Sequence, residues 1–195
     1  MTEKTTANPI PLGLLGFGLT TVLFGLYLAQ IIDGSALGVF YATALFYGGL
    51  AQVVAGRWAL KTGNTFWGTA LISYGFFWLT YVATNFLAAL GLVPPISSPA
   101  IQQLVMVPFY FFWGLIAFWM FLSAMKLNRT TRALMLLLAG LFWLLALGHY
   151  AFYAYGVTIV NTIAGVEGIA CGLVALYLSL GLLMNEAYAR AVVPL

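Results

Sequence analysis

The chain has 195 residues, of which 64% are hydrophobic and only 6% are charged, with a mean hydropathy of +1.04. This composition excludes an ordinary water-facing surface and indicates an integral membrane protein. The formal net charge of +3 indicates no nucleic-acid partner, because membrane topology accounts for the basic residues.

Six apolar runs are each long enough to cross about 30 Å of hydrocarbon at about 1.5 Å per residue. The predicted spans are Leu12–Ile32, Leu37–Gly56, Thr65–Leu90, Gln103–Met125, Arg132–Tyr155 and Val160–Met184. The first run is not expected to be a signal peptide, because the start is not basic and no small-residue cleavage pattern follows. The sequence therefore predicts one domain, residues 1–195, built as an all-α bundle of six transmembrane helices.

The basic residues all fall in segments that six spans place on one side of the membrane. They are Lys4, Arg57, Lys61, Lys126, Arg129, Arg132 and Arg190. Because cytoplasmic loops accumulate Lys and Arg, both termini are predicted to be cytoplasmic. We expect a multi-pass protein of the cell membrane.

A weak internal similarity indicates a 3+3 inverted repeat. One constant shift along the chain aligns Pro11 with Pro108 and Gln52 with His149. Many transport proteins are built from such repeats. The matches are few for so apolar a chain, so a bundle without a repeat stays open.

The first span begins with a pattern typical of a helix start that can face a substrate. Pro9 and Pro11 mark the first turn, where a proline loses no helical hydrogen bond, and Asn8 can cap the free N–H groups. The positive end of the helix dipole there would favour an anion. Gly13 begins a series of glycines that favours the close approach of another backbone or of a substrate.

Polar residues also occur in the second span and at the start of the third. Gln52 shares a helix face with Gly48 and, inside a membrane, must be hydrogen-bonded. It either contacts a substrate or only clamps two helices. Asn64 and Thr65 form a cap on the same side as Asn8, where two helix starts could draw in a carboxylate. A cap without a ligand is the alternative.

The predicted spans contain no Lys or Arg away from their ends. This excludes a retinal Schiff base and a pore that fixes anions with a buried cation. An anionic substrate must then meet neutral donors and helix ends, or cross as the neutral acid. The neutral donors are Thr20, Thr21, Tyr47, Gln52, Asn64, Thr65, Ser73, Tyr74, Asn85 and the tryptophans.

Glu167 is the one carboxylate inside a predicted span, and His149 lies near the end of the preceding span. An unpaired charge at that depth is costly, so the carboxyl group must be protonated, hydrogen-bonded or facing water. One hypothesis is a proton relay between Glu167 and His149. The alternative is a structural clamp with Tyr150, Tyr153 or Tyr155.

Several motifs together resemble the acetate uptake transporter family. They are Asn8-Pro9-Ile10-Pro11-Leu12-Gly13-Leu14, Phe46-Tyr47-Gly48-Gly49-Leu50-Ala51-Gln52, Lys61-Thr62-Gly63-Asn64-Thr65-Phe66, Ser73-Tyr74-Gly75 with Phe77-Trp78-Leu79, and Cys171-Gly172 with Tyr177-Leu178 and Asn185-Glu186. The resemblance spans nearly the whole chain. It implies a homohexamer in which each protomer has its own pore, with the stretch around Gln52 bordering the conduction path.

The resemblance also implies an apolar constriction formed by Phe17, Tyr74 and Leu138. Phe17 and Tyr74 carry over on clear motifs, whereas Leu138 is reached by counting back from Leu144-Leu145-Ala146-Leu147-Gly148. Without the resemblance, each residue would be read as core packing or lipid contact. Such a ring would exclude hydrated ions and bulky acids by dewetting and size.

These observations favour a transport protein that uses no metal and no cofactor, because no catalytic set or metal-ligand cluster is visible. The leading hypothesis is transport of acetate and similar short-chain monocarboxylates, with succinate as a further candidate. An anion channel and a proton-linked symporter both stay open, and a path without cations favours the protonated acid. The alternatives are conduction of ammonia or another small neutral solute, and a non-transporting membrane scaffold.

Overall fold

The computed structural model describes residues 7–93 and 98–195, which are helical with short connections and contain no strand. Six helices are long and apolar enough to cross a membrane. They are α1 (Ile10–Leu28), α2 (Leu37–Lys61), α3 (Thr65–Ala89), α4 (Pro99–Ser123), α5 (Arg129–Tyr155) and α6 (Ile159–Ala187). The predicted six-helix fold is confirmed. Lys4 lies outside the described residues.

Two helices begin about one turn before the approximate spans predicted from the sequence. α4 begins at Pro99, before the span predicted from Gln103, and α5 begins at Arg129, before the span predicted from Arg132. Apolarity alone misses these turns because capping residues are polar. The Asn128 side chain, for example, accepts a 2.7 Å hydrogen bond from the Thr131 N–H at the start of α5.

The second span is not the uninterrupted α-helix that its pattern predicts. The eight residues Ala44–Ala51 form a π-helix, and regular α-helix resumes at Gln52. A π segment changes the direction in which later side chains point. Two consecutive glycines, Gly48 and Gly49, lie buried in this stretch, where neighbouring helices come closer than a side chain would allow.

Helix α1 packs closely against α2 and α6 through glycines. Gly16 lies against the backbone carbonyl of Tyr47 in α2. A methyl group at Gly18 would lie 2.8 Å from the carbonyl oxygen of Gly172 in α6. These distances confirm that the glycines of the first helix permit the close approach of other backbones.

Aromatic side chains separate α3 from α4. The ring of Phe77 lies 5.7 Å from that of Phe109 and 5.3 Å from that of Trp113, measured between centroids. In a 3+3 repeat this pair of helices would correspond to α6 and α1, which meet backbone to backbone. The repeat therefore stays a prediction.

The described basic residues all lie at one end of the bundle, which we call the basic end. They are Arg57, Lys61, Lys126, Arg129, Arg132 and Arg190. The opposite end, the distal end, includes the connection from α1 to α2. There the backbone N–H of Ser35 donates a 2.8 Å hydrogen bond to Asp33, which lowers the pKa of that carboxyl group.

The substitution Gly18→Ala tests the close packing of α1. We expect it to lower the free energy of unfolding by about 1–3 kcal/mol, because the added methyl group meets the Gly172 carbonyl. Gly38→Ala is the matched control, since nothing lies within 4 Å of a methyl group there. Thermal unfolding in detergent measures both variants. Equal melting temperatures would contradict the close contact.

Candidate functional site

Two cavities lie inside the bundle and share a boundary. Each has a volume of about 10 Å³, room for about one water molecule. The first is lined by Leu14, Phe17, Gln52, Trp67, Ala70, Leu71, Tyr74, Leu134, Met135 and Leu138. The second is lined by Phe17, Thr21, Phe24, Phe77, Trp78, Leu138, Leu141, Phe142 and Leu145. The lining residues place the first cavity toward the basic end and the second toward the distal end. Two side chains, Phe17 and Leu138, line both.

The structure brings together the three residues of the predicted constriction. Phe17, Tyr74 and Leu138 are 5%, 2% and 2% exposed. The Phe17 and Tyr74 rings lie 6.0 Å apart, and Tyr74 lines the first cavity. The three apolar surfaces therefore meet at the boundary between the cavities. A narrow apolar boundary of this kind resists hydrated ions.

Gln52 and Tyr74 are side chains of the first cavity that carry a buried polar atom without a partner. Gln52 is 1% exposed, and its Oε1 atom has no hydrogen-bond partner among the described residues. Burying an amide oxygen without a partner costs about 1–3 kcal/mol. A hydrogen-bonded clamp between two helices therefore does not form through this oxygen.

The π-helical stretch lies directly before Gln52. Within it Gly48 packs against the side chain of Thr20, and a methyl group at Gly48 would lie 2.5 Å from the Thr20 Oγ1 atom. Regular α-helix resumes at Gln52, after the altered turn. The stretch thus ends at a residue that lines the first cavity, consistent with the frequent occurrence of π segments at functional sites.

The two predicted helix caps are present, and both are already engaged. Asn8 accepts a 3.1 Å hydrogen bond from the Ile10 N–H, and Asn64 accepts one of 3.1 Å from the Trp67 N–H. Pro11 lies in the first turn of α1, and its carbonyl accepts a 2.7 Å hydrogen bond from the buried Ser179 hydroxyl. Both helix starts adjoin the first cavity, because Trp67 and the early α1 side chains line it.

The predicted hydroxyl donors are less available to a substrate than the sequence indicates, because the protein itself already uses them. Thr20 and Thr21 each donate a 2.7 Å hydrogen bond to a carbonyl four residues earlier in α1. Thr21 still lines the second cavity, whereas Thr65 and Ser73 line neither cavity. Gly13 does not line them either and packs against Leu71.

Sequence reasoning missed most of the cavity walls. The sequence does not single out the aromatic residues of the second cavity, which are Phe24, Phe77, Trp78 and Phe142. Their rings pack edge to face, with Phe77 and Phe142 at 5.0 Å and Phe24 and Trp78 at 5.7 Å. The Phe77-Trp78 pair next to the Ser-Tyr-Gly motif was the one available signal.

Glu167 and His149 are not hydrogen-bonded to each other. Both carboxylate oxygens of Glu167 are buried with no described partner, so neither a direct relay nor a tyrosine clamp forms in this structure. The Glu167 Oε1 atom lies 3.9 Å from the position of a methyl group at Gly140, about 13 Å along α5 from His149. Gly140 lies on the side of α5 opposite Leu138 and Phe142, which line the second cavity. Because Glu167 faces Gly140, its carboxyl group lies outside the cavity wall.

The GPR1/FUN34/yaaH family pattern matches residues 1–194 of the chain. The succinate-acetate/proton symporter SatP of Escherichia coli (strain K12) is 40% identical over 195 residues, which cover 100% of this chain and 98% of that protein. The ammonia transport outward protein 2 of Saccharomyces cerevisiae is 35% identical over 172 residues, covering 88% of this chain and 59% of that protein.

A solved structure, described as the bacterial acetate channel SatP, superposes with a TM-score of 0.89 at 38% identity. The match covers 98% of this chain and 99% of that one. It confirms the six-helix membrane fold, and the relatives named for an activity are transport proteins rather than enzymes. The resemblance that the sequence motifs indicated is therefore confirmed.

The substitution Gln52→Leu tests whether the amide oxygen is unsatisfied within the protein. We expect the free energy of unfolding to rise by about 1 kcal/mol, because an unpaired buried acceptor is replaced by an apolar group. Gln102→Leu, at an exposed position, is the control and should leave the melting temperature unchanged. A lower melting temperature for Gln52→Leu would instead indicate a structural clamp.

Proposed function

The chain belongs to the GPR1/FUN34/yaaH family, and we propose that it carries acetate and similar short-chain monocarboxylates across the membrane. The path runs through the two cavities of a single protomer. Its walls include Gln52 and Thr21, and Phe17, Tyr74 and Leu138 form its constriction. The caps at Asn8 and Asn64 hold the helix starts beside the entrance from the basic end.

The observation that carries this proposal is the pair of cavities that meet at Phe17 and Leu138. Two cavities in line, separated by an apolar ring, are expected of a transport path in its closed state, whereas a scaffold has no need of them. The SatP relatives named as an acetate symporter and an acetate channel support a small carboxylic acid as the substrate. Succinate is a further candidate, since the symporter's name includes it.

The chemistry of the path favours the protonated acid as the form that crosses the constriction. Among the described residues, no Lys or Arg lines either cavity. Moving a bare carboxylate into such a space costs far more than moving a neutral carboxyl group. Transport is therefore linked to a proton, in the sense of symport. The basic end faces the cytoplasm, and the protomers assemble as a homohexamer.

A second candidate function is conduction of ammonia. One yeast relative is named as an ammonia transport protein, and a narrow apolar path would also admit a small neutral solute. Both ammonia and a protonated carboxyl group can donate a hydrogen bond to the unpartnered Gln52 oxygen, so competition between the two solutes, and not this contact, distinguishes the two functions.

Counterflow of labelled acetate in proteoliposomes tests the proposal against both alternatives. We expect exchange that unlabelled acetate inhibits, that ammonium leaves unchanged, and that becomes faster as the pH falls toward the range in which acetic acid is protonated. Competition by ammonium alone would indicate ammonia conduction. No flux of either solute would indicate a scaffold.

The substitution Leu138→Ala tests the constriction. We expect larger acids, such as butyrate, to exchange at least several-fold faster relative to acetate, because a side chain shared by both cavities is shortened. Leu136→Ala is the matched control, as this neighbour on α5 is half exposed and lines neither cavity. Identical size selectivity in the two variants would contradict the assigned position of the constriction.

The substitution Glu167→Gln tests the relay hypothesis. Because Glu167 lies behind α5 and away from the cavities, we expect the pH profile of acetate exchange to keep its shape and midpoint. Initial rates measured across the pH range provide the comparison with the unmodified protein. Loss of the pH dependence would show that Glu167 couples transport to protons after all.

A further inference from the structure

Three cations lie close together along the chain where α4 connects to α5. They are Lys126 at the end of the connecting 3₁₀ turn, Arg129 at the start of α5 and Arg132 one turn later, and we call them the cation cluster. The other described cations of the basic end are divided between the end of α2 and the segment after α6. Half of the described cations therefore fall within seven consecutive residues.

The connection that carries the cation cluster is held by hydrogen bonds and by burial. The Leu127 N–H donates a 2.8 Å hydrogen bond to the Ala124 carbonyl, and the Asn128 side chain caps α5 by accepting from the Thr131 N–H. Ala124 and Thr131 are both 0% exposed. The backbone therefore presents the three cations at fixed positions on either side of a two-residue join.

The cation cluster has no carboxylate nearby in the chain. Residues 123–133 contain no Asp or Glu. Among the described acids, Asp33 lies at the distal end, Glu167 lies beside Gly140 of α5, and Glu186 is on α6. An anion from outside the protein can then supply the counter-charge. Arginine suits a phosphate group especially, because its guanidinium can donate two parallel hydrogen bonds to it.

Membrane topology alone does not account for this arrangement. The preference for basic loops on the cytoplasmic side depends on how many Lys and Arg residues a loop contains, and does not require three of them within seven residues. Lys61 of α2 shows a different arrangement, since its ammonium group lies 5.3 Å from the centre of the Trp58 ring, which stabilises the cation. Among the described residues, the cation cluster forms no such contact.

The face of α5 that continues from Arg129 into the membrane is apolar. Leu136, Gly140 and Leu147 follow Arg129 at spacings of seven, four and seven residues, which places all four on one side of the helix. Leu136 and Leu147 are 50% and 53% exposed. Leu136 lies about 10 Å farther along α5 than Arg129, at about 1.5 Å per residue. Cations at the end of the helix and apolar side chains below them match a molecule with an anionic head and hydrocarbon chains.

We propose that the cation cluster and the adjoining face of α5 form a binding site for an anionic phospholipid. Arg129 and Arg132 hold the phosphate, Lys126 adds a third positive charge, and the acyl chains lie along Leu136 and Gly140. The positive end of the α5 dipole favours the phosphate further. A zwitterionic lipid binds less tightly, because its ammonium group finds no carboxylate in the connection. The site is separate from the transport path, since none of the three cations lines either cavity.

The test removes two charges from the cation cluster in the variant Arg129→Gln/Arg132→Gln. The matched control, Arg57→Gln/Lys61→Gln, removes two charges from another part of the basic end. Native mass spectrometry of the purified protein measures the binding of phosphatidylglycerol, of zwitterionic phosphatidylcholine, and of glycerol 3-phosphate as a phosphate without acyl chains. Melting temperatures verify folding, and Lys126→Gln, in the exposed turn, replaces the cluster variant if that variant does not fold.

We expect the dissociation constant of phosphatidylglycerol to rise at least about ten-fold in Arg129→Gln/Arg132→Gln, or about five-fold in Lys126→Gln, and less than about two-fold in the control, since each cation at a lipid surface contributes about a factor of five. Phosphatidylcholine should bind several-fold more weakly than phosphatidylglycerol to the unmodified protein. The proposal is overturned if the cluster variant and the control bind phosphatidylglycerol alike, which would indicate a diffuse attraction to the basic end. Displacement of the lipid by glycerol 3-phosphate would also overturn it, because the ligand would then be a soluble phosphate compound.

Discussion

The structure depends on backbone contacts that fix α1 between two other helices. Gly16 meets the Tyr47 carbonyl of α2, and Gly18 meets the Gly172 carbonyl of α6. Phe17 lies between these two glycines, so its Cα position is held from both sides. Its ring is then directed inward to the boundary between the cavities. In a membrane, where lipid is as apolar as leucine, such close packing of small residues is a main force that holds helices together.

The two halves of the bundle are packed in different ways, and the two cavities lie between them. The glycine contacts hold α1, α2 and α6 together. Aromatic rings instead fill the space between α3, α4 and α5. The Phe77 and Trp113 rings, for example, lie 5.3 Å apart, and the Trp113 and Phe142 rings lie 6.0 Å apart. Rings that meet edge to face can fit around a cavity, because they fill space without requiring backbones to touch. The wall of the second cavity is largely aromatic for this reason.

The sequence predicts the parts of this architecture that depend on local rules. Apolar length yields the six spans, and the caps at Asn8 and Asn64 follow from residue type beside a helix start. The inward position of Phe17 came from a family resemblance and not from composition. The π-helical stretch lies where α2 packs closely against α1 and α3. Such contacts between helices leave no local pattern in the sequence. The separation of Glu167 from His149 likewise depends on the rotation of α6 about its axis.

The backbone contacts of α1 limit how the boundary between the two cavities can open. Moving α1 away from α2 and α6 would break the backbone contacts at Gly16 and Gly18 that define its position. Rotation of the Phe17, Tyr74 and Leu138 side chains breaks none of them. Side-chain rotation is also fast compared with the movement of packed helices. Under the proposed function, these rotations would let a neutral two-carbon acid pass, and an apolar ring on a fixed backbone would still exclude a hydrated ion.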